Sequence, residues 1–230
     1  MEGKNGKPEK AYDRVLNYIK SEIYQGILKR GDALPPERDL AEKLGVSRNS
    51  VREALRTMSL MGFISSVQGA GNFVSCDLEK NLSETFQMMM MMGETNFLQV
   101  SQLRRGLEGE TAKLAASRIT SGQVTKLAAL ARQMDEEMDP QKGSLLDRKF
   151  HYLLCEAAGN KLIRSLFGAM LTTFNEFIST MYVRICQTPG EGSQLNACHW
   201  DIVRALEAHD EEAAICAIGR HFDVVDRAVP

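Results

Sequence analysis

Leu34-Pro-Pro-Glu-Arg-Asp-Leu-Ala-Glu-Lys-Leu-Gly-Val-Ser47 runs directly into Arg48-Asn-Ser-Val-Arg-Glu-Ala-Leu-Arg-Thr-Met58. Pro36 suits the first position of a helix, and Glu37 places negative charge in its first turn. Gly45 supplies the left-handed residue that stops the helix, and Ser47 caps the next one. Two helices separated only by Gly45 and Val46 must cross steeply, which is a helix-turn-helix. In the second helix Val51, Leu55 and Met58 form one stripe, while Arg48, Asn49, Ser50, Arg52 and Arg56 surround its start and outer face. That polarity suits a major groove, where a recognition helix meets base edges with its N-terminal residues and phosphate with its flanks.

Upstream, Val15, Leu16, Ile19, Ile23 and Ile27 recur at spacings of three and four, so Ala11 to Ile27 reads as an amphipathic helix, loosened by Gly26 and ended by Gly31-Asp32. Downstream, Phe63 to Val67 and Asn72 to Ser75 read as two short strands around the glycine turn Gln68-Gly-Ala-Gly71, a wing. The whole run from Gly26 to Val74 resembles the GntR family of bacterial regulators. By position, the resemblance implies operator contacts from Arg38, Arg48 and Arg52, with Ser47, Asn49 and Ser50 beside them. It also implies that Gln68 and Gly69 reach the minor groove from the wing. The competing reading makes these arginines a solvated face.

Cys76 to Lys80 reads as a polar connector, and from Leu82 onward the chain reads as helix: Leu82 to Met92, Asn96 to Arg118, Gln123 to Met138, Ser144 to Ala158, Lys161 to Cys186, Gln194 to Glu207 and Glu211 to Arg227. This is an antiparallel bundle. The methionine run at 88–92 reads as flexible filling for an interdomain or dimer contact rather than a cofactor feature. Asp147 and His151, four apart, stack on one helix face. If the last two helices form a hairpin turning at Ala208-His209-Asp210, His199 and His221 lie opposite each other about residue 210, with His209 an exposed turn residue.

This half resembles the FCD effector domain of the FadR subfamily over about Asn96 to Arg227, also in Leu103-Arg-Arg-Gly-Leu-Glu108 and Ala158-Gly-Asn160. In metal-binding members of that subfamily one Asp and three His hold a divalent ion, and the matching positions are Asp147, His151, His199 and His221. The resemblance also points Arg104 into the same cavity, where its guanidinium would bind an organic acid bidentately. A surface salt bridge to Glu108 is the alternative for Arg104, and satisfied core polar groups are the alternative for the four ligands. One carboxylate with three imidazoles suits zinc first, then nickel, manganese or iron. Cys155, one turn beyond His151, reads as a buried thiol before a fifth ligand.

Composition agrees with a globular chain: 43% hydrophobic and 25% charged residues in 230, with no apolar stretch long enough to span a bilayer. Residues 1–76 hold 12 Lys and Arg against 9 Asp and Glu, a net +3; the remainder holds 16 against 21, a net −5. A basic head on an acidic body suits DNA binding. The five cysteines are scattered, with no Cys-x-x-Cys pair for a zinc ribbon or redox centre. The opening Met1 to Lys7 lacks the apolar core of a signal peptide and reads as a polar leader, so a cytoplasmic protein is expected.

The expectation is therefore a mainly α chain. Residues 1–76 form a winged helix-turn-helix of three helices and a small β wing, 77–81 a linker, and 82–230 an all-α bundle of six to seven helices. Function follows as a homodimeric regulator, with repression favoured, that binds double-stranded operator DNA and responds to a small organic acid at a divalent metal. A metal-ion sensor is one alternative. A metal-dependent hydrolase is another, although no His-Glu-x-x-His motif or nucleophile accompanies the histidines and no enzyme explains the head.

Overall fold

The computed structural model describes residues 10–228, and the chain divides into two compact units between Asn81 and Leu82. The first contains α1 (Ala11–Tyr24), α2 (Glu37–Leu44), α3 (Arg48–Leu60), β1 (Ile64–Val67) and β2 (Gly71–Val74). Val15 and Ile19 of α1, Leu40 of α2, Val51, Leu55 and Met58 of α3, and the wing residues Ile64 and Val74 share one apolar core. That core fixes the angle between α2 and α3. Gly45 sits at φ +61°, ψ +41°, where its amide donates back to Ala41 and Glu42, and Ser47 accepts from the Ser50 amide at 3.1 Å. The turn is therefore held by one left-handed glycine and one side-chain cap.

The strands pair antiparallel with Ile64 opposite Val74 and Val67 opposite Gly71. Amides of Gly31 and Leu34 donate to Val74 and Asn72, which pins the wing to the segment before α2. Two local expectations need correction. Gly26 at φ +72° ends α1 at Tyr24, so Ile27 leaves the stripe and is exposed. Pro36 stands one place outside α2 as its N-cap rather than at its first position.

The second unit contains most of α4 (Leu78–Met91), then α5 (Phe97–Ala116), α6 (Ser121–Glu136), α7 (Pro140–Ala157), α8 (Lys161–Thr173), α9 (Asn175–Gln187), α10 (Glu191–Glu207) and α11 (Glu211–Ala228). The segment 77–81 is not a free linker, because α4 begins at Leu78 and the Asp77 carboxylate accepts from the Lys80 amide in its first turn. Met88 to Met92 are exposed. Nor is 161–186 a single helix. At Phe174 (φ −96°, ψ +20°) the backbone leaves the helix and the ring is buried beside Phe86, with centroids 5.6 Å apart. That break raises the helices of this unit to eight among the described residues, against the six to seven expected.

Capping sets the remaining boundaries. Asn96 with Gln99 and Thr120 with Gln123 form capping boxes, and Asp139 caps α7 with Pro140 opening it, so α7 begins four residues before the Ser144 expected. Gly190, left-handed at φ +83°, likewise lets α10 start at Glu191. Helix α11 packs against both α5 and α10, and α7 packs against α5, α6 and α9. Four helices, α5, α7, α10 and α11, thereby turn one face each towards a common interior. Among the described residues no helix is long and apolar enough to cross a membrane. The polar leader read at Met1 to Lys7 lies outside the described residues.

Candidate functional site

On the first unit, Arg38 of α2, Ser47 at the α3 cap, and Arg48, Asn49 and Arg52 of α3 are exposed, with Ser50 half-buried. Arg52 pairs with Glu37 at 3.1 Å and Arg38 with Asp39 at 3.3 Å, both open to solvent. Exposed pairs of this kind contribute only about 0–1 kcal/mol, so they yield readily to a phosphate or a base. Gln68 and Gly69 lie exposed in the turn joining β1 to β2, with Gly69 at φ +79°. This face is polar, basic and ordered by the buried stripe behind it.

The second unit brings Asp147, His151, His199 and His221 together in its interior. One ligand atom from each lies within 4.8 Å of every other, and all four residues are buried. Asp147 Oδ1 stands 3.1 Å from His199 Nε2, 3.6 Å from His151 Nε2 and 3.9 Å from His221 Nε2. Around a tetrahedral zinc with bonds of about 2.0–2.1 Å, neighbouring ligand atoms stand roughly 3.4 Å apart. The rings are splayed at 61° to 66° with centroids 4.7 to 5.5 Å apart, as ligands converging on one point are, and not stacked.

Every ring nitrogen of the three histidines is buried without a hydrogen-bond partner, since the approaches to Asp147 are close but not aligned as hydrogen bonds. Leaving a buried polar atom unsatisfied costs about 1–3 kcal/mol, so six such atoms in one place call for a partner that the chain does not itself provide. The donor set and its geometry can accommodate a divalent metal ion. Cys155 stays apart from it. Its buried thiol contacts Thr111 Oγ1 at 3.9 Å, and burial pushes its pKa far up, so it is a core residue and not a fifth ligand.

Behind His151 stands a residue that the sequence reading left as a surface partner. Glu108 of α5 is fully buried, with one carboxylate oxygen against His151 Nδ1 and the other accepting from Arg104 Nε at 2.8 Å. The Arg104 to Glu108 pair therefore exists, but inside the bundle instead of on its surface. Burial would raise the Glu108 carboxyl; Arg104, and after it His151, hold it at about 2. Burial would lower His151, and the Glu108 and Asp147 carboxylates raise it to about 9. His221, dominated by burial, falls to about 3, and His199 falls too. The arrangement is a carboxylate orienting an imidazole whose other nitrogen faces Asp147.

Arg104 also lines a cavity of about 430 Å³ together with Ser101, Asp147, Tyr182 and His221. Its Nη2 is buried and unpartnered. Tyr182 reaches this wall because α7 has a glycine opposite it: a Cβ at Gly143 would lie 2.8 Å from the Tyr182 ring and hydroxyl. His209 takes no part. It is exposed at the α10 to α11 turn, with φ +54° and Nδ1 donating to the Ala116 carbonyl at 2.7 Å.

The profile of bacterial regulatory proteins of the gntR family matches residues 11–74, and that of the FCD domain matches residues 99–224. The chain belongs to the GntR family and carries an FCD domain. It is 33% identical over 207 residues to the HTH-type transcriptional regulator LutR of Bacillus subtilis (strain 168), covering 89% of this chain and 94% of that protein. It is 29% identical over 222 residues to a protein described as an L-lactate dehydrogenase operon regulatory protein in Escherichia coli (strain K12), covering 95% of this chain and 86% of the other. Among solved structures, Streptococcus agalactiae GntR superposes with a TM-score of 0.64 at 27% identity, covering 94% of this chain and 99% of that one. This GntR-family chain is thus a DNA-binding transcriptional regulator with an FCD effector domain, and not a hydrolase.

The buried pair in this regulator carries a stability consequence. Glu108→Ala leaves the Arg104 guanidinium buried without its counter-charge and should lower stability by about 3–5 kcal/mol. Urea denaturation followed by circular dichroism measures it; a loss under about 1 kcal/mol would mean that the pair is not buried as described.

Proposed function

We propose that this GntR-family protein is a repressor that binds a pseudo-palindromic operator as a homodimer and is controlled by a small carboxylate at a divalent-metal site in its FCD domain. The observation that carries the metal reading is the convergence of Asp147, His151, His199 and His221, all buried, with six unpartnered imidazole nitrogens. These four residues would hold the ion, zinc by donor chemistry, with nickel, manganese and iron in the same class. A bound divalent cation supplies positive charge and open coordination positions for a carboxylate oxygen.

The chain's own groups complete that site. Glu108 holds the His151 ring by its Nδ1, and Arg104 offers its free Nη2 to the cavity that Asp147 and His221 also line. A carboxylate would therefore meet a guanidinium on one side and the metal-ligand cluster on the other. The name of the Escherichia coli relative, which refers to an operon for a hydroxy-acid dehydrogenase, favours an organic acid as the signal.

On DNA, Arg38, Arg48 and Arg52 make the principal operator contacts, with Ser47, Asn49 and Ser50 beside them and Gln68 and Gly69 reaching the minor groove. Two-fold symmetry of the protein matches two half-sites of the operator. Effector binding favours the arrangement of heads that fits the operator less well, by no more than its differential affinity for the two arrangements.

Two outcomes test this. Arg48→Ala should reduce the preference for the operator over random duplex by about 5- to 150-fold, the equivalent of about 1–3 kcal/mol for a bidentate base contact; an unchanged ratio in fluorescence anisotropy at fixed salt would oppose the assignment. Elemental analysis after dialysis should find one divalent ion per chain in the wild type and none in His199→Ala. Glu108→Gln should weaken metal affinity by about 10- to 100-fold.

A further inference from the structure

We infer that the ligand of the FCD cavity is a monocarboxylic acid with a compact apolar body, and neither a polyhydroxylated acid nor a dicarboxylate. The inference rests on the function proposed above and adds the class of acid. Charge and polarity are confined to one end of the cavity, where Arg104, Asp147 and His221 gather. Away from that end the wall is built from Phe177, Ile178, Met181, Ile185, Leu195 and Val225. Four of these, Ile178, Met181, Ile185 and Leu195, are almost wholly buried, so the apolar wall belongs to the bundle core and is not a solvent-facing surface.

The remaining polar lining groups are engaged. Ser101 donates its hydroxyl proton to Asp226, and the Tyr182 hydroxyl is hydrogen bonded to Cys186. A sugar acid placed here would bring several hydroxyls against aliphatic side chains with no partner, and each unsatisfied hydroxyl weakens binding. A dicarboxylate would need a second cation, and Arg104 is the one arginine or lysine among the described lining residues. A single carboxylate at the Arg104 end leaves only carbon to face carbon. The free volume of about 430 Å³ lies in the range of small-molecule pockets.

Isothermal titration calorimetry on the full-length, zinc-loaded protein tests this with propanoate, butanoate, 4-methylpentanoate, gluconate and succinate, repeated after chelation of the metal. The expected result is a gain of about fourfold in affinity per added methylene up to 4-methylpentanoate. Gluconate and succinate should bind at least about tenfold more weakly than 4-methylpentanoate, since their polar groups would be buried unpaired. A flat series, or gluconate or succinate binding as tightly as 4-methylpentanoate, overturns the inference. Met181→Gln should flatten the chain-length dependence, and an unchanged slope counts against the apolar wall. Binding in the expected order that survives chelation unaltered supports the apolar body while overturning the role of the metal. Failure of every acid to bind overturns both.

Discussion

The buried run of charge from Arg104 through Glu108 to His151 is the constraint on which the sensing half depends. Taking a guanidinium and a carboxylate out of water costs several kcal/mol per ion, and this pair lies wholly inside the bundle. It persists because each group answers another: Glu108 satisfies Arg104 Nε with one oxygen and meets His151 with the other. The pair therefore locks α5 against α7 in one register. His151 cannot rotate without stranding a buried carboxylate, so its other nitrogen stays directed at Asp147, one turn back on the same helix.

Apolar packing surrounds this polar interior and makes its cost bearable. Phe150 packs edge-on against His151 and His199, and Phe222 against His221, so the rings are held by aromatic neighbours as well as by charge. The same residues exclude water and keep the local dielectric low. This raises the penalty for unpaired nitrogens and strengthens every interaction of a cation placed among them. Side chains arranged in this way make a poor core and a good binding site.

Much of this is legible in the sequence, and the reasons differ by element. The head is readable because it is local: Gly45, Ser47 and the stripe of Val51, Leu55 and Met58 lie within a few turns of one another. Asp147 with His151 is readable from helical period, and His199 with His221 from the symmetry of a hairpin about residue 210. Glu108 is harder. Its contact with His151 joins α5 to α7, and at i, i+4 from Arg104 it has the spacing of an ordinary surface pair. A signal does exist, since Val100, Arg104, Glu108, Thr111, Ala112 and Ala115 all fall on the buried face of α5, which places a charge pair on a core stripe. The break at Phe174 leaves no such trace: no Gly or Pro marks it, and only the burial of that ring against Phe86 explains it. The helical start at Leu78 is hidden by the polar residues around it.

The two halves of the regulator are linked by a thermodynamic requirement. Whatever binds beside Arg104 can alter operator affinity only if the two arrangements of the dimer present that site differently. The claim underneath is that Asp147, His151, His199 and His221 form one ligand set. X-ray absorption at the edge of the bound metal tests it most directly. The account predicts a first shell of nitrogen and oxygen only, at about 2.0–2.1 Å if the ion is zinc, with multiple scattering from three imidazoles. Sulfur scattering at about 2.3 Å, or a shell without imidazole, would contradict it.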